Sequence, residues 1–190
     1  MRLVFIGPPG AGKGTQSEQI RKYLNVPHLA TGDMLRDAIA RGSDVGKLAK
    51  ESIDKGELVS DAVVIQAVND RLQTSECDNG VLFDGFPRTL AQAEALDRYL
   101  ASVGMQIDLV LELSVDNEEL MRRLSRRGRD DDTLAVIQQR LLVYRSQTAP
   151  LLDYYRAQDK LVSVDGRGTT EEVTARICTT IDNWRATSQS

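Results

Sequence analysis

The chain begins with a short apolar run, Arg2 to Ile6, that stops at Gly7-Pro8-Pro9-Gly10. From Lys13 to Leu24 the pattern changes, with apolar side chains at Ile20, Tyr23 and Leu24 in helical spacing. The predicted order is a buried strand, a tight loop and a helix. Short apolar runs recur at Val81 to Phe83, Leu109 to Leu113 and Leu161 to Val164, with a weaker one at Val26 to Leu29. Between them lie helix-compatible stretches near Asp33 to Ala40, Ser60 to Gln73, Leu90 to Val103, Asn117 to Arg126, Thr133 to Ala157 and Thr170 to Trp184. Strands alternating with helices predict an α/β protein whose mostly parallel sheet is covered on both faces. The segment from Thr31 to Ser60 carries no strong strand, and glycines at 32, 42, 46 and 56 divide it into short helical pieces, as a mobile insertion would be.

Composition narrows the class. At 190 residues, 41% hydrophobic and 27% charged, the chain fits one soluble α/β unit and excludes collagenous, coiled-coil and wholly disordered classes. The net charge of −4 argues against a general binder of nucleic acid or of acidic membranes, while leaving room for local basic sites. The 24 cationic residues comprise 18 Arg and only 6 Lys, a bias toward the planar fork that grips phosphate or carboxylate. Cys77 and Cys178 stand far apart, without zinc-ligand spacing or the density of a disulfide scaffold, so a reducing compartment is expected. No run approaches the roughly 18 apolar residues of a membrane span, and the expected location is cytoplasmic.

Gly7 to Thr15 reads GPPGAGKGT. It keeps the Gly, four-residue gap and Gly-Lys of a P-loop, but Gly14 follows the lysine where Ser or Thr is usual, and the hydroxyl moves to Thr15. The physics survives that shift. Glycines let backbone N–H groups turn toward phosphate oxygens, the helix beginning near Lys13 adds its positive end, and Lys13 supplies a mobile cation. Such a loop predicts nucleoside triphosphate binding and leaves the reaction open. A guanine-reading Asn/Thr-Lys-x-Asp element is missing, since none of the 6 lysines follows Asn or Thr. Asp165-Gly-Arg-Gly168 fits a turn after a strand.

A second motif, Val81-Leu-Phe-Asp84-Gly85-Phe86-Pro87-Arg88, is a buried strand that ends in a carboxylate and turns to present an arginine. Taken with GPPGAGKGT, Thr31-Gly-Asp-Met-Leu-Arg36, Gly56-Glu-Leu-Val59 and Arg127-Gly-Arg129 before the Asp130 to Asp132 run, it closely resembles the adenylate kinase family over Arg2 to about Thr180. The resemblance implies a five-stranded parallel sheet of the P-loop kinase type, with one domain over 1–190, a mobile nucleotide-binding segment near 30–59 and a lid near 126–132. It also implies transfer of a phosphoryl group from Mg-ATP to AMP, giving two ADP and serving adenine nucleotide homeostasis. AMP's phosphate carries about −1.5 to −2 charge near neutral pH, so the acceptor needs no general base. Catalysis falls to positioning and charge stabilisation, and the lone histidine, His28, is expected to be a strand residue.

By the same resemblance, Gly10, Ala11, Gly12, Lys13, Gly14 and Thr15 hold the ATP phosphates, and Gly168 gives the ATP adenine a backbone contact. Asp84 and Thr15 hold Mg2+, partly through water. Arg36 and Arg88 grip the AMP phosphate, while Thr31, the Glu57-Leu58-Val59 backbone, Gly85, Phe86, Pro87 and Gln92 form the nucleoside pocket. Arg36 alone would read as a solvated helix arginine; its place in TGDMLR assigns it to the site. Arg123, Arg127, Arg129 and Arg140 are carried over as phosphate and lid arginines, whereas Arg122 and Arg126 read as surface residues. Spacing supports part of this, since Arg123 and Arg127 lie four apart beside Leu120 and Leu124 on one helical surface. Arg140 rests on the family match alone. Relatives usually have the Phe86-Pro87 bond cis, which is expected here.

Only about seven residues, 126–132, form the lid, so the resemblance is to a short-lid form without the zinc site of longer members. ATP, AMP and ADP are the expected partners of a monomer that binds neither nucleic acid nor membrane. A UMP/CMP kinase is the alternative within the class, and a nucleotide-binding module without turnover the alternative outside it. Against the first stand Thr31 and Gln92, where UMP/CMP kinases tend to have Ala and Asn. Against the second stands the full charged set, with Lys13, Arg88 and the lid arginines retained.

Overall fold

The computed structural model describes the backbone of residues 1–127 and 133–188 and the side chains of 1–126 and 133–187. Strands β1 (Arg2–Ile6), β2 (His28–Ala30), β3 (Val81–Asp84), β4 (Leu109–Ser114) and β5 (Leu161–Asp165) form one parallel sheet in the order β2-β3-β1-β4-β5. Alternation along each strand divides the core in two. Val4, Ile6, Phe83 and Val110 face one layer of helices, and Leu3, Phe5, Leu82, Leu109 and Leu111 face the other. All nine residues are at most 2% exposed, as the continuous apolar runs of a doubly covered sheet require.

Helices α1 (Lys13–Leu24), α2 (Thr31–Ala40), α3 (Asp44–Lys55), α4 (Asp61–Leu72), α5 (Leu90–Ser102), α6 (Asn117–Arg127), α7 (Leu134–Val143), α8 (Pro150–Arg156) and α9 (Thr170–Ser188) connect and flank the strands. Strand order reverses at β1, which pairs with β3 on one side and β4 on the other. A crevice at the carboxyl ends of the strands is expected at such a switch point. Among the described residues no helix is long and apolar enough to cross a membrane.

Three departures from the sequence pattern have local causes. The second strand begins at His28 rather than Val26, because Pro27 has no N–H for the ladder and contributes only its carbonyl, to Leu82 N at 2.9 Å. The stretch 31–60 holds two full helices rather than short pieces. At Gly46 a Cβ would lie 2.1 Å from the Ala38 carbonyl oxygen, so this glycine permits close approach of α2 and α3 instead of breaking a helix. The long helix expected over 133–157 is divided by a π-helical turn at Tyr144–Thr148 before Pro150 opens α8. Pro150 lacks an N–H and its ring crowds the preceding turn; the backbone answers with a wider i to i+5 bond, Ala149 N to Tyr144 O at 2.8 Å.

Candidate active site

A cleft of about 1030 Å³ opens at the carboxyl ends of β1, β2 and β3. On one side lies the loop between β1 and α1. Gly10 and Gly12 have φ of 86° and 98°, values that a side chain resists, and a Cβ on Gly10 would come within 2.9 Å of Leu124 Cγ. Gly12 caps α1 from the left-handed region, and no side chain caps the helix, so its first-turn N–H groups face the cleft as an anion site. Lys13 lies across the loop and donates from Nζ to the carbonyls of Gly7 (2.6 Å) and Pro8 (3.1 Å). Ala11, Gly14, Thr15 and Gly168 also line this side.

Asp84 closes β3 at the cleft floor. Its Oδ2 accepts from Ser17 Oγ at 3.2 Å and lies 3.4 Å from His28 Nε2. Burial works against the Asp84 charge, but the His28 hydrogen bond and the positive charges of Lys13 and Arg88 prevail and hold the carboxyl below its usual range. Asp84, Ser17 and Thr15 thus offer oxygen donors on neighbouring elements, the ligand type that suits a hard divalent cation retaining much of its water. Among the described residues no three His, Cys, Asp or Glu side chains cluster as metal ligands.

The other side is assembled from separate elements. The Phe86-Pro87 bond is cis, and Gly85 has φ of 75°. Gly85 O accepts from Thr31 Oγ1 at 2.7 Å and from Arg88 Nε at 2.8 Å. A Cβ on Gly85 would lie 2.8 Å from Arg88 Nη2, so the arginine packs where only glycine leaves room. Gln92 is buried at the start of α5, with its Oε1 accepting from Arg88 N at 2.7 Å. Arg36 pairs with Asp33 on α2, and Glu57, Leu58, Val59 and Pro87 complete the wall; Phe86 is buried beneath it. Burial pushes the Arg88 guanidinium below its ordinary value; Asp84 opposes this, while Arg140 and Arg36 add repulsion. Three cations thus converge where an anion would relieve their mutual repulsion.

A family model described as adenylate kinase matches residues 5–160. The chain is 51% identical over 181 residues to an adenylate kinase of Caulobacter vibrioides, covering 93% of this chain and 95% of the relative. Adenylate kinases of Parvibaculum lavamentivorans and Thermobifida fusca are each 46% identical, over 188 and 185 residues, covering 95% of this chain and 92% and 98% of theirs. The chain belongs to the adenylate kinase family.

Within this adenylate kinase fold, α6 carries Arg123 against the β1–α1 side. Leu120 and Leu124 are buried beneath it, and its Nη1 and Nη2 donate to Ala11 O (3.2 Å) and Gly166 O (2.9 Å). Glu119 steers it, accepting from Arg123 Nε at 2.6 Å. Arg140 on α7 reaches the cleft wall, where its Cγ would lie 3.2 Å from a Cβ on Gly56. Arg122 and Arg126, expected at the surface, are exposed on the rim. Arg127 ends α6, its side chain outside the described part, and Arg129 lies outside the described residues, as does most of the expected lid.

Sequence reasoning overlooked several residues that this adenylate kinase site uses for support. Ser17 and His28 touch Asp84, Glu119 orients Arg123, and Asp61 holds Gln92. Thr148, in the π turn, donates to Arg88 O at 2.9 Å. Only Thr148 left a local signal, a proline two residues later within a helical pattern.

Proposed function

We propose that the protein transfers the γ-phosphoryl group of Mg-ATP to AMP, giving two ADP. The observation that carries this reading is the opposition of two phosphate sites in one cleft, the Gly10 to Thr15 loop on one side and the converging Arg36, Arg88 and Arg140 on the other. An oxygen of the AMP phosphate attacks the γ-phosphorus, and the bond to the β–γ bridging oxygen breaks, leaving ADP on each side. The acceptor is already anionic, so no base is required. Backbone N–H groups of the loop hold the ATP phosphates, and Lys13 leaves the Gly7 and Pro8 carbonyls to follow the migrating charge. Arg88 and Arg36 hold the acceptor, while Arg123 and Arg140, with Arg127 and Arg129, neutralise charge in transfer.

Mg2+ would be held by Asp84 and Thr15, partly through water, where it supplies charge neutralisation to the triphosphate. Asp84 is suited to that because it stays charged although largely buried. The segment 30–59 and the short lid near 126–132 close over bound nucleotides, excluding water from the γ-phosphate. Supporting the first is that α2 and α3 pack chiefly on each other. A bisubstrate analogue spanning both sites is expected to compact the molecule in scattering experiments.

AMP is the preferred acceptor because Thr31 and Gln92 face the nucleoside pocket, and an amide offers the donor and acceptor that a 6-aminopurine edge matches. The test is turnover with Mg-ATP against AMP, UMP, CMP and GMP. AMP is expected to be favoured strongly, and comparable kcat/KM for UMP would overturn the acceptor assignment. Gln92→Ala is expected to weaken AMP use more than ATP binding.

A further inference from the structure

Gln92 is 1% exposed and lines the cleft, yet its orientation is set from behind. Its Oε1 accepts from the backbone N–H of Arg88 at 2.7 Å, and its Nε2 donates to Asp61 Oδ1 at 2.7 Å. Both partners play a single role: a backbone N–H only donates, and a carboxylate only accepts. A Gln92 amide turned over by 180° would set donor against donor and oxygen against oxygen. Asp61, at the first position of α4, is itself anchored, because its Oδ2 accepts from Thr89 Oγ1 at 3.1 Å. Thr89 in turn caps α5, accepting from Gln92 N at 3.2 Å. Among the described residues nothing else takes the second Nε2–H or the second Oε1 lone pair, and these remain for a ligand.

We propose that Asp61 is a positioning residue that locks the Gln92 amide in one orientation and thereby selects a 6-aminopurine over a 6-oxopurine acceptor. The proposal rests on the reading that Gln92 faces the acceptor base. A 6-aminopurine presents a ring acceptor at N1 and a donor at its exocyclic amine, which match the free N–H and lone pair of the locked amide. A 6-oxopurine presents the reverse, a donor at N1 and an acceptor at O6. To accept it the amide must flip, and the Asp61 carboxylate then faces an amide oxygen with no proton between them. A hydrogen bond to a charged group is the stronger kind, so Asp61 contributes more to the lock than the neutral Arg88 N–H does. Asp61 also joins the Glu57 to Val59 wall to α5, so one carboxylate sets two sides of the pocket.

IMP is the suitable probe, since it differs from AMP only in this pair of groups. Initial rates with Mg-ATP are measured for the unaltered protein, Asp61→Asn and Asp61→Ala, with AMP and with IMP. The unaltered protein is expected to favour AMP in kcat/KM by about 10² or more. In both variants that ratio falls by about tenfold or more, with KM for AMP raised more than kcat is lowered and KM for ATP steady. A merely structural role for Asp61 would depress AMP and IMP use alike, and an unchanged ratio would overturn the proposal while leaving the acceptor reading intact. Failure of the unaltered protein to use AMP would overturn both. Hydrogen exchange of the Gln92 side-chain amide in the unaltered, nucleotide-free protein decides the point without a variant. One slowly exchanging proton supports the lock, and two rapidly exchanging protons overturn it.

Discussion

The two sides of the cleft meet phosphate by different means. On the β1–α1 side the groups are backbone amides, set by Gly10 and Gly12 in left-handed conformations and seated on a strand whose residues are almost fully buried. On the other side they are side chains drawn from α2, the turn after β3, α5 and α7, and much of their support crosses between elements: Thr31 on Gly85 O, Gln92 on Arg88 N and Asp61, and Thr148 of the π turn on Arg88 O. A backbone cradle is specified by a few consecutive residues and is indifferent to the base attached to the phosphate. A side-chain cradle needs the whole fold, and gains in return the directional donors and acceptors with which a base is read. This division matches a donor nucleotide held by its phosphates and an acceptor held at both ends.

Removing Arg88 is the largest perturbation of the side-chain half. Arg88→Ala is expected to cost about 10³ to 10⁵ in kcat, the scale of arginines that stabilise a phosphoryl transition state. Stability should change far less, by about 0.5–1.5 kcal/mol, the scale of one lost hydrogen bond. Gly85 O keeps its bond from Thr31 when the Arg88 Nε bond is lost, and the repulsion from Arg140 and Arg36 disappears. Single-turnover kinetics beside a thermal melt separate the two quantities. Near-normal turnover would remove Arg88 from the mechanism, and a large fall in Tm would make its role structural.

A paired glycine experiment sharpens the contrast at smaller amplitude. Gly12→Ala has room for its methyl, the nearest atom being Arg123 Nη1 at 3.7 Å, so its cost comes from a φ of 98° that alanine resists. Strain of about 1–3 kcal/mol is expected, felt as a roughly tenfold to hundredfold loss of ATP affinity with AMP affinity unchanged. Gly85→Ala adds a clash, 2.8 Å from Arg88 Nη2 and 3.2 Å from Thr31 Oγ1, and should reverse the pattern by weakening AMP and sparing ATP. Calorimetric titration of each nucleotide into each variant reads both. Equal losses of both nucleotides in either variant would mean that the two sides are not separable.

The same division explains what the sequence made legible. GPPGAGKGT could be read as a string because a strand, a glycine turn and a helix start are local, and DGFPR because a strand end carries its own turn. The central strands β1, β3 and β4 were visible as continuous apolar runs, since strands buried on both faces leave no polar alternation to obscure them. What could not be read were contacts between distant positions. Nothing near Asp61 announces Gln92, 31 residues away, nor near Thr148 the Arg88 carbonyl, 60 residues away. Arg140 needed family resemblance for the same reason, since an amphipathic pattern fixes which face of α7 is apolar and not which cation meets the cleft. The π turn was missed because Pro150 was absorbed into a helical period that its missing N–H cannot continue.

The smallest expected effect concerns α6, where Glu119 holds both Arg122 and Arg123, with Nε or Nη2 to carboxylate distances of 2.6 Å. Hydrogen bonds from Arg122 and then Arg123 hold the Glu119 carboxyl at about 2. An unperturbed glutamate titrates near about 4.3, so the folded value lies below the unfolded one. The charged carboxylate therefore adds stability in full above the unfolded value, and that contribution is lost as pH falls through the folded one. The stability difference between the unaltered protein and Glu119→Gln should be constant above about pH 5 and shrink between roughly pH 4.3 and the folded value. Because Arg122 is half exposed and the Glu119 carboxylate still reaches solvent, the difference should be small and diminish further in high salt. Urea melts of both proteins across this range make the comparison. A difference that stays flat through the acid window would show that Glu119 orients Arg123 toward Ala11 and Gly166 without stabilising the fold.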